Sequence, residues 1–236
     1  MSTKDFTANV ISASKVVPDG NFKDSKASGI WDINEALDLI KGGNWPNVAN
    51  INPASFVDAL FQCHLYDGTG SSNTITNNIN LTGKGGLVWI KRRSGTSDHN
   101  LFDSERGFAT ASTGIISSNT TGASNDFADY FNATSTGFTL LHSGNDTNDS
   151  SSEYVSWTFR KQPKFFDIVT WTGNGTEDRT ISHNLGSVPG MIIVKGYSLT
   201  EDWNVYHRGI GNAKYLQLNS TAAAANVDTG AGGANL

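Results

Sequence analysis

GLVWIK at residues 86–91 returns as GMIIVK at 190–195, and DHNLFDSERG at 98–107 returns as DWNVYHRGIG at 202–211. The two pairs share one offset, because 190 − 86 and 202 − 98 are both 104. Self-similarity at a constant offset is the signature of a repeated structural unit. The sequence therefore predicts a duplicated unit of about one hundred residues.

Weaker matches extend the duplication in both directions. YDGTG at 66–70 parallels WTGNG at 171–175, and Asn119 and Thr121 parallel Asn219 and Thr221. We place the first repeat at residues 61–163 and the second repeat at 164–236. The second repeat is truncated: after Thr221 it has no counterpart of FTLLH or YVSWTF and ends in a small-residue tail. Missing strands leave a sheet edge unpaired, and we expect a neighbouring subunit to cover it.

Short apolar segments separated by Gly, Asn, Ser and Thr turns dominate the chain after residue 60. Their alternation and turn chemistry are typical of strands and disfavour long helices. We therefore predict a mainly β fold, an antiparallel β-sandwich built from the duplicated unit. The clearest strand segments are LVWIK (87–91), FTLLH (138–142), YVSWTF (154–159), FDIVTW (166–171), MIIVK (191–195) and YLQL (215–218).

Residues 1–60 form the predicted N-terminal segment, an extended arm followed by a short helix. Asp32 and Glu35 are spaced as helix-capping residues, and Gly42-Gly43 would end that helix. A weaker second helix is possible at about residues 54–61. The arm has no core of its own, so we expect it to attach to another protein.

Composition excludes several classes of protein. The 236 residues carry a formal net charge of −5, which leaves no basic surface for a nucleic acid backbone. A single cysteine, Cys63, excludes an internal disulfide and any multi-cysteine zinc site, and we expect its side chain to be buried. The apolar runs are too short for a signal peptide or a membrane span.

Positions that the repeats share are expected to serve the fold, including a local side-chain bond at Asp98/Asp202 and Asn100/Asn204. Positions that differ are where function could diverge. The candidate ligand-binding residues are Trp203, Tyr206, His207 and Arg208. Flat rings mixed with hydrogen-bond donors suit a sugar ligand, but packing in the core is the more frequent use of aromatic residues. Both interpretations stay open.

No catalytic or metal-binding motif emerges. His99, Asp103 and Ser104 lie close together, but no nucleophile elbow surrounds the serine. A glycosidase pair could be drawn only from carboxylates of unknown separation, namely Asp103, Glu105, Glu153 and Glu177. The acidic stretch 145–153 offers oxygen ligands but lacks an EF-hand pattern, and we interpret it as a solvated turn. We predict a protein that is not an enzyme and binds no cofactor or metal.

Several motifs occur in an order that resembles a known group of proteins. The chain is similar to tail-fibre-like virion structural proteins of tailed bacteriophages, marine ones especially, and residues 28–46 resemble an N-terminal piece joined to such modules. The resemblance implies a jelly-roll or lectin-like sandwich in the virion. The motifs are TGNG (172–175), ISHNLGSVPGMIIVK (181–195), DWNVYH (202–207), LQLNSTAA (216–223), GLVWIKRR (86–93), LFDSERG (101–107) and YVSWTF (154–159).

The resemblance implies a phage structural protein that contacts host-surface glycans, and we weigh this function against two others. The implied function is attachment to host-surface glycans by an oligomer, a trimer by analogy, whose arm docks on other virion proteins. The second is capsid decoration or tail assembly without receptor binding. The third is an enzyme that degrades host polysaccharide. We expect neither nucleic acid nor an inserted membrane as a partner.

Overall fold

A computed structural model defines the fold, and its contacts divide the chain into two units, residues 1–56 and 57–236. The structure describes residues 34, 38, 57–108, 114–125, 129–144, 146–176 and 178–227. Asn34 and Asp38 are helical and exposed. The rest of the predicted helix, and the arm before it, lie outside the described residues. All the described strands belong to the second unit.

The described part of the second unit is almost entirely β, which confirms the predicted class. One short helix, α1 (Val57–Leu60), leads into the first strand, and all the ladders are antiparallel. The strands are β1 (Phe61–Asp67), β2 (Asn73–Thr76), β3 (Gly86–Arg92), β4 (His99–Asp103), β5 (Ile116–Ser117), β6 (Phe131–Thr134), β7 (Gly137–Leu140), β8 (Glu153–Arg160), β9 (Met191–Val194), β10 (Asn204–His207), β11 (Lys214–Gln217) and β12 (Ala225–Asn226).

The first repeat forms a two-sheet sandwich. One sheet has the order β1-β8-β3-β4-β5 and the other has the order β2-β7-β6. Alternate residues of β3, such as Val88 and Ile90, are fully buried, as a strand with one face on a core requires. Phe102 stacks on Phe131 at 4.9 Å between ring centroids, so aromatic rings fill the space between the sheets.

The second repeat forms a four-stranded sheet with the order β12-β11-β10-β9. Its register repeats that of the first. Leu101 is opposite Trp89 and Val205 is opposite Ile193, each pair being displaced from the other by 104 residues. The strands β9-β10-β11 therefore correspond to β3-β4-β5, residue by residue along the paired positions.

A side-chain clamp is also duplicated. The Asn119 amide donates to Asp98 at 2.7 Å, and the Asn219 amide donates to Asp202 at 2.7 Å. The sequence predicted a local bond at these aspartates but assigned it to Asn100 and Asn204. The actual partners are Asn119 and Asn219, which follow strands β5 and β11. At this point the two repeats are offset by 100 residues instead of 104.

The segment FDIVTW, predicted as a strand at 166–171, is irregular apart from one bridge between Phe166 and Gln162. Its counterpart in the first repeat is β1, which pairs along its whole length with β8. The described part of the second repeat contains no counterpart of β8. A strand cannot form without a partner for its backbone groups, so this prediction was wrong because none of the described strands pairs with the segment.

Cys63 is exposed, contrary to the expectation of a buried thiol. It lies on β1, an edge strand, opposite Trp157 on β8. Its neighbour Tyr66 packs into the core instead. Strand alternation therefore places Cys63 on the face of the five-stranded sheet that points away from the second sheet.

Candidate functional site

The four predicted ligand-binding residues do not form one surface. Strand β10 and the residue before it place Trp203 and Val205 on one face and Tyr206 on the other, because successive side chains of an extended chain alternate. Trp203 is 4% exposed, whereas His207 and Arg208 lie exposed at the far end of the strand.

Trp203 joins the two repeats. Its ring forms a buried cluster with Leu101 and Ile116 of the first repeat, and Leu87 and Trp89 pack against that cluster. Its indole N–H donates to the carbonyl oxygen of Ser117 at 3.0 Å. A ring enclosed in this way offers no face to a sugar, so the structure corrects the predicted role of Trp203 to that of an internal anchor.

Hydrogen bonds to backbone carbonyls hold the same junction. Lys195 donates from Nζ to the Thr121 carbonyl at 2.9 Å, and the Glu201 N–H donates to that carbonyl at 3.0 Å. The Ser124 N–H donates to the Tyr197 carbonyl at 2.7 Å. Burial lowers the pKa of Lys195, against the opposing effect of nearby Glu201 and Asp202. The second repeat is thus fixed against strand β5 and the segment after it.

The opposite face of the second repeat carries an apolar groove of about 290 Å³. Three of its residues correspond to core residues of the first repeat: Ile192 to Val88, Val194 to Ile90, and Tyr206 to Phe102. In the first repeat the three-stranded sheet covers this face, but the second repeat has no such layer among its described residues. The groove is lined by Val188, Pro189, Ile192, Val194, Tyr206, Asn212 and Lys214.

The polar residues near the groove have local roles as well. The His207 ring accepts a hydrogen bond at Nδ1 from the Gly209 N–H at 3.1 Å. The Arg208 N–H donates to the Gly190 carbonyl at 2.9 Å, which extends the ladder between β9 and β10. Of the four predicted residues, only Tyr206 lines the groove.

The side chains of the possible catalytic triad are each committed elsewhere. Asp103 is buried and accepts from Nε of Arg106 at 2.6 Å and from the Arg106 backbone N–H at 2.9 Å. Ser104 accepts from the Gly86 N–H at 3.1 Å. His99 accepts from the Trp89 indole at 3.3 Å, and burial, helped by Lys91, lowers its pKa. These contacts assign structural roles to all three.

The other candidate carboxylates are distributed over the surface. Glu105 pairs with Lys161 at 2.6 Å, and Glu153 lies 3.7 Å from Arg93. Glu177 lies outside the described residues. Within the described part of the chain, no group of three or more His, Cys, Asp or Glu side chains could hold a metal ion.

Residues 146–153 form a turn whose carboxylates are partly exposed, in agreement with the predicted solvated turn, and this turn is organised around a buried asparagine. Asn148 is fully buried, accepts from the Thr69 N–H at 3.0 Å and donates to the carbonyls of Ser71 at 2.5 Å and His142 at 3.1 Å. A buried amide that bonds two other segments, residues 69–71 and 142, to its own turn fixes their relative positions. No sequence signal separates this asparagine from the other polar residues around it.

Most groove residues escaped prediction, although a signal for them existed. The residues after Thr221 contain no match to FTLLH or YVSWTF of the first repeat, and the offset of 104 identifies Ile192 and Val194 as copies of Val88 and Ile90. Taken together, these two observations point to an uncovered core face. The search for mixed aromatic and polar residues overlooked it because the groove floor is aliphatic.

Comparison with known proteins supports a family but no function. A family described as "Domain of unknown function (DUF7483)" matches residues 57–235. No curated protein and no solved structure matches the chain. Among the described residues, no helix has the length and apolar character needed to cross a membrane.

Proposed function

We propose that this chain, which belongs to the DUF7483 family, is a non-enzymatic structural component of a tailed-phage particle whose β repeats assemble with neighbouring subunits. The phage context comes from the resemblance of the repeat motifs. The assembly role is supported by one observation, the uncovered apolar surface of the second repeat. The proposal includes synthesis of the chain in the host cytoplasm and its incorporation into the virion.

That surface is unusual for an isolated domain. Val188 is 91% exposed and Ile192 is 43% exposed, and both residues line the groove. Contiguous exposed apolar residues commonly mark interaction sites. Trp203, the strongest candidate for sugar stacking, is already used inside the chain. Both facts favour assembly over direct receptor binding.

Cryo-electron microscopy of purified particles tests this proposal. We expect repeated copies of the chain, on the capsid or in the tail, with the Ile192 face of each second repeat covered by a neighbouring subunit. Copies whose Ile192 face points into solvent would contradict the assembly role. Absence of the chain from the particle would remove the virion assignment altogether.

Host-surface glycan attachment is a second candidate, favoured by the make-up of the groove. The Tyr206 ring, the Asn212 amide and the Lys214 ammonium surround an apolar floor. Apolar walls with a few placed polar groups are common in ligand sites. An oligomer such as the expected trimer would present several weak sites at once and strengthen attachment.

Binding of the intact protein to host-envelope glycans tests the second candidate. Tyr206→Ala should reduce binding at least tenfold, whereas Trp171→Ala, at a ring 44% exposed outside the groove, should not. Equal binding by wild type and Tyr206→Ala would reject the groove. Polysaccharide degradation is not proposed, because Asp103 and Glu105 are each paired with a cation.

A further inference from the structure

We infer that strand β9 pairs with β9 of a second copy of this chain, antiparallel, about a two-fold axis at Ile193. The inference rests on the proposed assembly role and names the partner and the contact. It concerns the backbone edge of β9 that faces away from β10, called here the open edge. The groove lies on the sheet face beside it.

The open edge presents unpaired backbone groups. The Arg208 N–H bonds to the Gly190 carbonyl, so alternation along an antiparallel ladder makes Tyr206–Ile192 and Asn204–Val194 the hydrogen-bonded pairs. The N–H and C=O groups of Met191 and Ile193 therefore point away from β10. In the part of the chain that the structure describes, no strand pairs with β9 on that side.

The first repeat shows what this edge is built to accept. Strand β3, the counterpart of β9, pairs with β4 on one side and with β8 on the other. The ladder to β8 is antiparallel and sets Trp89, the counterpart of Ile193, opposite Trp157. The same backbone geometry in β9 is thus compatible with an antiparallel strand at the open edge.

A retained glycine supports close approach of a strand. A Cβ on Gly86 would come within 2.1 Å of the Phe159 carbonyl oxygen of β8, so β8 itself demands glycine there. Gly190 is its counterpart, but the nearest atoms to a Cβ at Gly190 belong to the Arg208 side chain at 3.7 Å. No atom of the described residues lies close enough to exclude a side chain at position 190. A strand from outside, placed as β8 is in the first repeat, would need it.

The composition of the strand favours a second copy as that partner. Met191–Val194 contains no charged residue, so self-pairing sets no like charges opposite each other. Lys195, the adjacent cation, is held within its own chain by Thr121, Leu199 and Glu201. Natural edges are usually guarded by charge, proline or a bulge, and β9 has only Pro189 before it.

A two-fold axis at Ile193 sets the glycines at the two ends of the segment opposite each other. It places Gly190 of one copy opposite Gly196 of the other, so neither end of the ladder meets a side chain at close range. It also places the Ile192 and Val194 side chains of both copies on one face. Two-fold contacts of this self-complementary kind are the commonest in homo-oligomers.

Amide hydrogen exchange of the full chain, resolved by residue, tests the pairing with its own internal control. The amides of Met191 and Ile193 should exchange at least tenfold more slowly at high than at low protein concentration. The amides of Ile192 and Val194 already bond to β10 and should change little. Unchanged exchange at Met191 and Ile193 over a range in which the protein self-associates would overturn the inference.

Sedimentation velocity of two variants locates the contact. Ile193→Pro removes an N–H that β10 does not use and should weaken self-association at least tenfold. Leu65→Lys, at a residue 57% exposed on edge strand β1, is the matched control and should leave association unchanged. Dissociation by Leu65→Lys alone, or a wild type that stays monomeric at all concentrations, would refute pairing through β9. In either case, covered second repeats on particles would still support the assembly role through a different partner.

Discussion

Lys91 and Lys195 lie 104 residues apart and make the same contacts in their respective repeats. Lys91 donates from Nζ to the carbonyls of Gly95 and Ser97 at 3.0 and 2.8 Å. Lys195 donates to the carbonyls of Leu199 and Glu201 at 3.2 and 2.8 Å. Each ammonium therefore closes the hairpin that follows its own strand.

Replacing either lysine by methionine should destabilise the fold by about 1 kcal/mol, since hydrogen bonds from a charged donor to partly exposed carbonyls are lost. Lys195→Met should cost more, because that ammonium also bonds Thr121 across the repeat junction. Urea unfolding measures the change. Lys84→Met, on an exposed turn, is the control and should stay within about 0.5 kcal/mol of wild type. Equal effects at all three positions would contradict the hairpin role.

Trp203→Ala should lower the free energy of unfolding by about 3–5 kcal/mol, as expected for truncating a large buried ring. The lost stability should come from the junction between the repeats, where the ring packs on Leu101 and Ile116. Chemical denaturation followed by tryptophan fluorescence measures it. Trp171→Ala removes a largely exposed ring and should have little effect. A small cost for Trp203→Ala would show that the ring is not an anchor.

Asp103 and Arg106 should behave as a structural pair in a double-mutant cycle. Their side chains are 8% and 4% exposed, so removing one leaves the other charge buried, at a cost of about 3–5 kcal/mol. The pair Asp103→Leu with Arg106→Met should cost clearly less than the sum of the single changes. Thermal and urea unfolding of the four proteins give the coupling. Additive single costs would argue against a direct interaction.

Asp167 should make stability depend on pH in the acid range. Burial alone would raise its pKa, but hydrogen bonds from the Asn184 N–H and from Lys161 outweigh burial and lower it. Its contribution is therefore present above the unfolded pKa of about 4 and lost as pH falls through the lower folded value. Asp167→Asn should be less stable than wild type at pH 7, and the difference should shrink towards pH 3. A difference that is constant with pH would contradict this role.

The duplication was predictable because the same motifs occur twice in the chain at a constant offset. Strands β3 and β9 carry apolar residues at positions 104 residues apart, and the structure gives these residues equivalent positions in the two sheets. The register of Leu101 with Trp89 and of Val205 with Ile193 follows from the same offset. Local pattern and repeat together therefore define most of the architecture.

The incorrect predictions concern residues whose structure depends on partners that are distant in the sequence. FDIVTW has the composition of a strand, but no strand of the described ranges pairs with it, and pairing cannot be deduced from the segment itself. Trp203 looks like a binding residue because its sequence neighbours Tyr206 and His207 are polar or amphipathic. Only the fold shows that its face of β10 meets the first repeat.

The position of β8 has a consequence for how the chain folds during synthesis. It lies inside the five-stranded sheet, between β1 and β3, yet it is the last of the sheet's strands along the sequence. Phe61 cannot meet Phe159 until nearly one hundred further residues have left the ribosome. Contacts so distant in sequence form slowly. The nascent protein must keep β1 and one edge of β3 unpaired until β8 is released, and only then can the five-stranded sheet be completed.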